Sequence, residues 1–146
     1  DGELFTRKLF DKILIPEEVI KELIFKTSLT SENYLKRYKI DDLIEVKLIA
    51  YDSTIPGIDT LDAGEAFAIS LALRENFTLI IDENKGRKVA SAVGLNIEYS
   101  SEQIVKANRK QLIEKVEAEN KLKLLFDTKR IGENLYKRLL TELDKV

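Results

Sequence analysis

Two short apolar segments, separated by about a dozen residues, restrict the fold of this chain more than any other feature of its sequence. The segment FTLIID at 77–82 is typical of a buried strand, and LNIEY at 95–99 is typical of the next one. Between them, residues 85–93 predict a short helix that ends at Gly94. Two strands joined through a helix run parallel in most folds. The sequence therefore predicts an α/β fold with a parallel sheet flanked by helices.

The segments before this unit continue the alternation of strands and helices. Residues 12–15 predict a short strand, and Pro16 suits the first position of a helix that extends to residue 26. The spacing of that helix places four apolar residues on one face: Val19, Ile20, Leu23 and Ile24. Four further elements are predicted: a helix at 31–38 capped by Ser31 or Thr30, a strand at 44–51, a turn-rich connection at 52–59 and a largely apolar helix at 61–76.

After residue 100 the alternation of strands and helices gives way to charged helical segments. Residues 102–126 and 133–146 are charged and free of proline, and Gly132 lies in the turn between them. Apolar residues recur there at helical spacing: Ile104, Leu112, Ile113, Val116, Leu135, Leu139 and Leu140. We expect these helices to pack into the core of one domain, residues 1–146, rather than to bind a partner.

The composition excludes several kinds of chemistry. The 146 residues include no His and no Cys. Without His there is no Ser-His-Asp triad and no ordinary zinc site, and without Cys there is neither a disulfide framework nor a thiolate nucleophile. Carboxylates remain, and with water they suit Mg²⁺ or Mn²⁺. The formal net charge of −2 gives no global basic field, so binding to nucleic acid would need a local basic patch or a metal ion.

Hydropathy indicates a soluble protein. The chain is 44% hydrophobic and 34% charged, which is typical of a globular domain. No apolar run approaches the roughly 20 residues that span a bilayer, and the acidic start at residues 1–3 does not resemble a secretory signal. We therefore expect a cytoplasmic protein with no membrane partner.

Three carboxylates on three predicted elements are candidates for one metal site. Asp82 ends a strand, and ligands bind at the carboxyl ends of parallel strands. Glu65 lies in the first turn of the preceding helix, and Glu22 lies beside the apolar face of the first helix. If they converge, a divalent ion between them could activate water and stabilise the charge that develops on a phosphodiester.

Each of these carboxylates also fits a simpler role. Glu65 and Asp62 have the spacing of a capping box. Glu22 suits the solvated face of a helix, and Asp82 suits the cap of the helix that follows it. We expect Glu83, the next residue, to face solvent.

A small basic cluster follows the acidic residues. Lys85, Arg87 and Lys88 lie at the start of a predicted helix, where anions are favoured, so Lys85 or Arg87 could bind phosphate. An ordinary solvated helix start explains the same residues. The glycine-rich phosphate loop of many nucleotide hydrolases is absent from the sequence.

Several segments together resemble a known family. They are LDAGEAFAISLAL at 61–73, LIIDENKGRKVASAVGL at 79–95, ILIPEEVIKEL at 13–23 and RIGENLYKRLLTEL at 130–143. The chain resembles the PIN-domain proteins, and within them the prokaryotic branch of small toxin-like or uncharacterised nucleic-acid-binding proteins. The resemblance extends over most of residues 3–146 and is strongest at 61–95.

The resemblance implies a function and a set of site residues. It implies a carboxylate cluster that binds Mg²⁺ or Mn²⁺ and a ribonuclease that acts on single-stranded RNA, in many members restrained by an antitoxin protein. Carried over by motif, the metal ligands and catalytic residues would be Glu22, Glu65 and Asp82. Two positions depart from the family pattern: Glu83 replaces the second Asp of a pair, and Ser100-Ser101 replace a turn that is often Thr-Gly-Thr-like.

The start of the chain departs from the pattern more strongly. Family members begin with a strand that ends in Asp, and no strand precedes Asp1 here. We expect either that the sequence begins after that strand or that the protein is a shortened member that binds metal weakly. Two functions stay open: a metal-dependent ribonuclease, and a catalytically inactive PIN-like module that binds nucleic acid or protein. A homodimer or an antitoxin contact through the C-terminal helices is an alternative to core packing there.

Overall fold

The computed structural model describes residues 2–145, with side chains from residue 5 onwards, and shows the predicted α/β class. The helices are α1 (Gly2–Leu9), α2 (Glu17–Ile24), α3 (Ser31–Arg37), α4 (Ala63–Glu75), α5 (Asn84–Ala92), α6 (Glu102–Arg109), α7 (Lys115–Asp127) and α8 (Glu133–Asp144). The strands are β1 (Ile13–Pro16), β2 (Ile44–Lys47), β3 (Leu79–Ile80) and β4 (Ile97–Glu98), and a 3₁₀ helix spans Ile58–Thr60.

The chain divides into two compact units. The α/β unit comprises residues 11–98 and contains the four strands with α2 to α5. The helical unit joins the residues before Asp11 to those from Tyr99 onwards, and it contains α1 and α6 to α8. The single domain 1–146 stays a prediction, and its end residues 1 and 146 lie outside the described part of the chain.

The strands form two parallel pairs, as the alternation of strands and helices predicts. In the first pair, β1 lies beside β2 with Ile13 opposite Ile44. In the second, β3 lies beside β4 with Leu79 opposite Ile97, and the Ile81 N–H extends the ladder by donating to the Glu98 carbonyl at 2.9 Å. Helix α4 packs against both β1 and β3. Helix α4 therefore lies against strands from both pairs.

Each unit has a hydrophobic core of its own. In the α/β unit the core surrounds α4, with Ile69 and Ala90 fully buried, and it consists of Ile55, Ile58, Ala66, Ile69, Ala72, Leu79, Ile81 and Ala90. In the helical unit the core consists of Phe5, Ile104, Val105, Ala107, Ala118, Leu122, Leu139 and Leu143. The helices after residue 100 thus pack together around a core of their own.

The strands are shorter than the apolar runs that predict them. The run 44–51 forms a ladder only as far as Lys47, and Leu48 is 81% exposed. Within the run 77–82, strand β3 comprises only Leu79–Ile80 with one further hydrogen bond from Ile81, and Phe77 is 53% exposed. A ladder extends only as far as its partner strand, and β4 supplies two residues. The prediction of a six-residue buried strand at 77–82 was therefore wrong in its length.

Two predicted helical faces also need correction. Leu23 is 52% exposed, because α2 has only eight residues and its buried contact is made by Ile20. Val116 is 67% exposed in the first turn of α7. The predicted helix at 102–126 is in fact two helices, since Gln111 adopts a left-handed φ of 59° that ends α6.

The predicted helix ends are otherwise close to the observed ones. Thr30 caps α3, its hydroxyl accepting a hydrogen bond from the Asn33 N–H. Pro16 ends β1 and stands one position before α2 instead of inside it. Gly94 follows α5 with a φ of 83°, and Gly132 precedes α8. Among residues 2–145 there is no helix with the length and apolar character needed to cross a membrane.

Candidate functional site

The N-terminus of α4 is capped by two carboxylates that are far apart in the sequence. Asp62 Oδ1 accepts a hydrogen bond from the Glu65 N–H at 2.9 Å, and Glu22 Oε1 on α2 accepts one from the Gly64 N–H at 3.1 Å. These N–H groups lie in the first turn, where a helix has no internal acceptor for them. The positive end of the helix dipole also favours negative charge there. Glu22 is thus held against the first turn of α4, and its role as a metal ligand stays a prediction.

Glu65 has one satisfied and one unsatisfied carboxylate oxygen. A backbone hydrogen bond links its carboxylate to Asp62, which completes the predicted capping box. Its Oε1 is buried and has no hydrogen-bond partner among the described residues. A buried acceptor without a partner destabilises the fold by about 1–3 kcal/mol. The cap therefore accounts for only part of the environment of Glu65.

Burial and neighbouring negative charges disfavour the ionised form of Glu65. Burial contributes most to raising the pKa of this carboxyl, followed by the charge of Asp62 and by the smaller effects of Glu83 and Glu22. The backbone hydrogen bond from Asp62 opposes them by lowering the pKa. A cation placed among these carboxylates would relieve the same repulsion.

Two buried glycines make room for the carboxylates. A Cβ atom added to Gly64 would lie 2.8 Å from both carboxylate oxygens of Glu22. A Cβ atom added to Gly86, in the first turn of α5, would lie 3.2 Å from Glu65 Oε1 and 2.5 Å from Ile81 Cδ1. Glu22 and Glu65 thus lie directly against glycine backbone in the first turns of two helices.

The two acidic residues after β3 have different relations to this site. Asp82 is exposed and comes directly after Ile81, the last residue bonded to β4. Glu83 is exposed, as predicted, and precedes α5 without a side-chain capping bond. Its charge nevertheless raises the pKa of Glu65. Glu83 was expected only to face solvent, so its electrostatic effect on Glu65 was not predicted.

The carboxylates near α4 meet some of the requirements of a divalent-cation site but not all of them. Within residues 2–145, no three acidic side chains are close enough to form a metal-binding group. The structure brings Glu22 and Glu65 together at the N-terminus of α4. That Asp82 is a further ligand stays a prediction. The buried, unpaired Oε1 of Glu65 is the kind of oxygen that a cation would use. Mg²⁺ is often held by one or two carboxylates, with water completing its coordination.

The two predicted phosphate-binding residues differ in their surroundings. Arg87 Nη1 donates to the Ile81 carbonyl at 2.7 Å, so it joins the end of β3 to α5. Lys85 is exposed in the first turn of α5. The accessible amine of Lys85 is therefore the better candidate for contact with a phosphate, while Arg87 already has a structural role.

Comparison with known proteins identifies the family. The family model that describes a PIN domain matches residues 3–145. The chain therefore belongs to the PIN-domain family, as its motifs indicated. This family has a nuclease-type fold, generally uses divalent metals and generally binds nucleic acid. No curated protein and no solved structure matches the chain significantly.

Proposed function

We propose that the protein is a divalent-metal-dependent ribonuclease of PIN type that hydrolyses phosphodiester bonds in single-stranded RNA. The observation that supports this most directly is the buried Glu65 Oε1, which has no hydrogen-bond partner among the described residues and lies among other carboxylates. A structural cap would need only the oxygen that is already bonded. The second oxygen is explained if Mg²⁺ or Mn²⁺ binds there during function.

The side chains of such a site would have two roles, metal binding and phosphate binding. Glu22 is held in place by the Gly64 N–H and Glu65 by the backbone of Asp62, and these two carboxylates are the proposed first ligands. Asp82 is the proposed third ligand. A bound Mg²⁺ or Mn²⁺ would supply a water-derived nucleophile and offset the charge that develops on the phosphodiester. Lys85, exposed in the first turn of α5, would neutralise a phosphate of the RNA strand.

Manganese binding tests the proposed metal site first. Isothermal titration calorimetry would compare the natural chain with its Glu65→Gln and Asp82→Asn variants. We expect one site in the natural chain and loss of binding in both variants. Glu75→Gln is the matched control, because Glu75 ends the same helix as Glu65 and pairs with Arg74 at 3.2 Å. Absence of manganese binding by the natural chain would overturn the proposal.

RNA cleavage on the same samples tests the proposed reaction. A single-stranded RNA would be compared with its duplex and with single-stranded DNA of the same sequence, in manganese and in chelator. We expect cleavage of the single-stranded RNA only, in manganese only, and by the natural chain and the Glu75→Gln control but not by the other two variants. Manganese binding without cleavage would favour an inactive protein.

A catalytically inactive PIN-like module that binds nucleic acid or protein is the second candidate. The hydrogen bond from Gly64 to Glu22 favours it, because this carboxylate has a structural task that needs no metal. An inactive module would bind single-stranded RNA equally well in manganese and in chelator. An antitoxin partner, a homodimer and a cytoplasmic location stay predictions, and light scattering of the purified protein would test the homodimer.

A further inference from the structure

We propose that Gly64 is a positioning residue: its missing side chain is what seats the Glu22 carboxylate at the N-terminus of α4. The consequence for metal binding rests on the proposed function, whereas the seating of Glu22 is a property of the metal-free protein. The inference concerns a residue that binds neither metal nor substrate and acts only through Glu22.

The space at Gly64 is occupied by one group. An added Cβ would lie 2.8 Å from Oε1 and Oε2 of Glu22 and 3.0 Å from its Cδ. Ordinary contacts of a Cβ atom are 3.4–4 Å. Glycine therefore leaves room at this position for the carboxylate of Glu22 and its hydrogen bond to the Gly64 N–H.

The backbone gives no other reason for glycine at this position. Gly64 is the second residue of α4 and is not among the glycines with positive φ, which are Gly57 and Gly94. Alanine is preferred to glycine inside a helix. Alanine at position 64 would thus stabilise the helix itself. Its cost would be the displacement of Glu22 and the loss of its hydrogen bond.

Glu22 is the partner that must yield. It is exposed on α2, so its flexible side chain can turn into solvent when a methyl group occupies its place. The Gly64 position is buried, and the backbone of α4 is fixed by the core around Ile69. We therefore expect Gly64→Ala to displace the carboxylate and to leave the fold intact.

The first test compares metal affinity with stability in Gly64→Ala. Manganese affinity should fall about 10- to 100-fold, as it does when a residue that orients a ligand is lost. The melting temperature in chelator should fall only slightly, because the helix preference of alanine offsets much of the lost hydrogen bond to Glu22. A glycine needed only for packing would lower the melting temperature strongly, and that result with unchanged manganese affinity would overturn the inference.

Two further variants, a control glycine substitution and a double substitution with a shorter acid, test whether the effect is steric. Gly132→Ala is the control, because an added Cβ meets nothing within 4 Å at the start of α8, and its manganese affinity should equal that of the natural chain. Combining Gly64→Ala with Glu22→Asp removes one methylene from the acid and makes room for the new methyl group. The double variant should bind manganese more tightly than Gly64→Ala alone, and weaker binding would contradict a steric cause.

Amide hydrogen exchange tests the seating without any metal. After correction for intrinsic rates, the amide of residue 64 should exchange at least about tenfold faster in Glu22→Ala and in Gly64→Ala than in the natural chain, the factor that corresponds to loss of one charge-assisted hydrogen bond. Unchanged exchange in both variants would overturn the inference. If the natural chain binds no manganese, the proposed function fails, and this exchange experiment still decides the role of Gly64.

Discussion

Glu65 combines two environments in one carboxylate group. One side of it completes the cap of α4, and the other side is buried beside Gly86 with no hydrogen-bond donor among the described residues. The sequence presented capping and metal binding as alternatives. The structure shows that capping uses only part of the group and does not account for its other oxygen.

The stability of the metal-free protein should therefore depend on the charge of Glu65. Its pKa in the folded chain is raised, first by burial and then by the charge of Asp62, above its ordinary value of 4.5. The folded state holds the proton more tightly, so the contribution of this group to stability falls as pH rises from about 4.5 through the folded pKa. Glu65→Gln should remove that decline and raise stability at pH 7.

Urea unfolding in chelator between pH 4 and pH 8 checks this expectation. Glu65→Gln should be more stable than the natural chain at neutral pH, because its neutral side chain is not repelled by the charges of Asp62, Glu83 and Glu22. Excess manganese should reverse the order by stabilising only the natural chain. A less stable Glu65→Gln protein at every pH would show that the cap is the main role of Glu65.

Lys85 and Arg87 should respond differently to the loss of charge. Arg87→Gln removes the hydrogen bond to the Ile81 carbonyl and should lower the stability by about 1.5–3 kcal/mol, as for other charged donors. Lys85→Gln should change stability by less than about 0.5 kcal/mol, because the residue is exposed.

The salt dependence of RNA binding tests whether Lys85 contacts a phosphate. If Lys85 contacts a phosphate, Lys85→Gln should weaken the binding of single-stranded RNA and lower the slope of log affinity against log salt by about 1. Lys36→Gln on α3 is a control for loss of one positive charge, since Lys36 pairs with Glu32 at 2.7 Å. Equal slopes for the two variants would rule out a specific contact at Lys85.

At the level of elements, the helices were more predictable than the strands. The beginnings of α3 and α4 could be predicted because Thr30 and Asp62 act on N–H groups three residues away. The ends of β2 and β3 could not, because a strand ends where its partner ends and the partner is distant in sequence. Likewise, the approach of Glu22 to Gly64 depends on the packing of α2 against α4.

The same distinction applies to the site. Glu22 and Glu65 could be named as candidates because each lies in a motif that resembles the family, and their roles as ligands stay predictions. The parts played by Gly64, Gly86 and Glu83 could not be predicted, since they depend on distances between elements. The available signal was weak: glycine in the first turn of both α4 and α5, although glycine disfavours a helix.

The cap of α4 should stabilise the element on which the site is built. Asp62→Ala removes the acceptor for the Glu65 N–H and should lower the free energy of unfolding by about 1 kcal/mol. Asp62→Asn keeps an acceptor and removes a negative charge beside Glu65, so it should be about as stable as the natural chain in chelator. Chemical denaturation distinguishes the two, and equal losses would show that the charge, not the acceptor, stabilises α4.

At the level of the whole molecule, two separate cores support the fold. The core of the helical unit includes Leu122, which is fully buried on α7. Leu122→Ala should destabilise this unit by about 2–5 kcal/mol and accelerate amide exchange in α6, α7 and α8. Val116→Ala on the same helix is the control and should change stability by less than about 0.5 kcal/mol, because Val116 is 67% exposed.

The contact between Gly64 and Glu22 has a consequence for natural variation in this family. Since the carboxylate fills the space of a missing side chain, the two positions should vary together wherever the carboxylate is needed in this place. Descendants that gain alanine or serine at position 64 should carry a shorter or uncharged residue at position 22, and a glycine without its acid should drift freely to alanine. The residues found together at positions 22 and 64 would then show which family members have kept the carboxylate at the N-terminus of α4 and which have lost it.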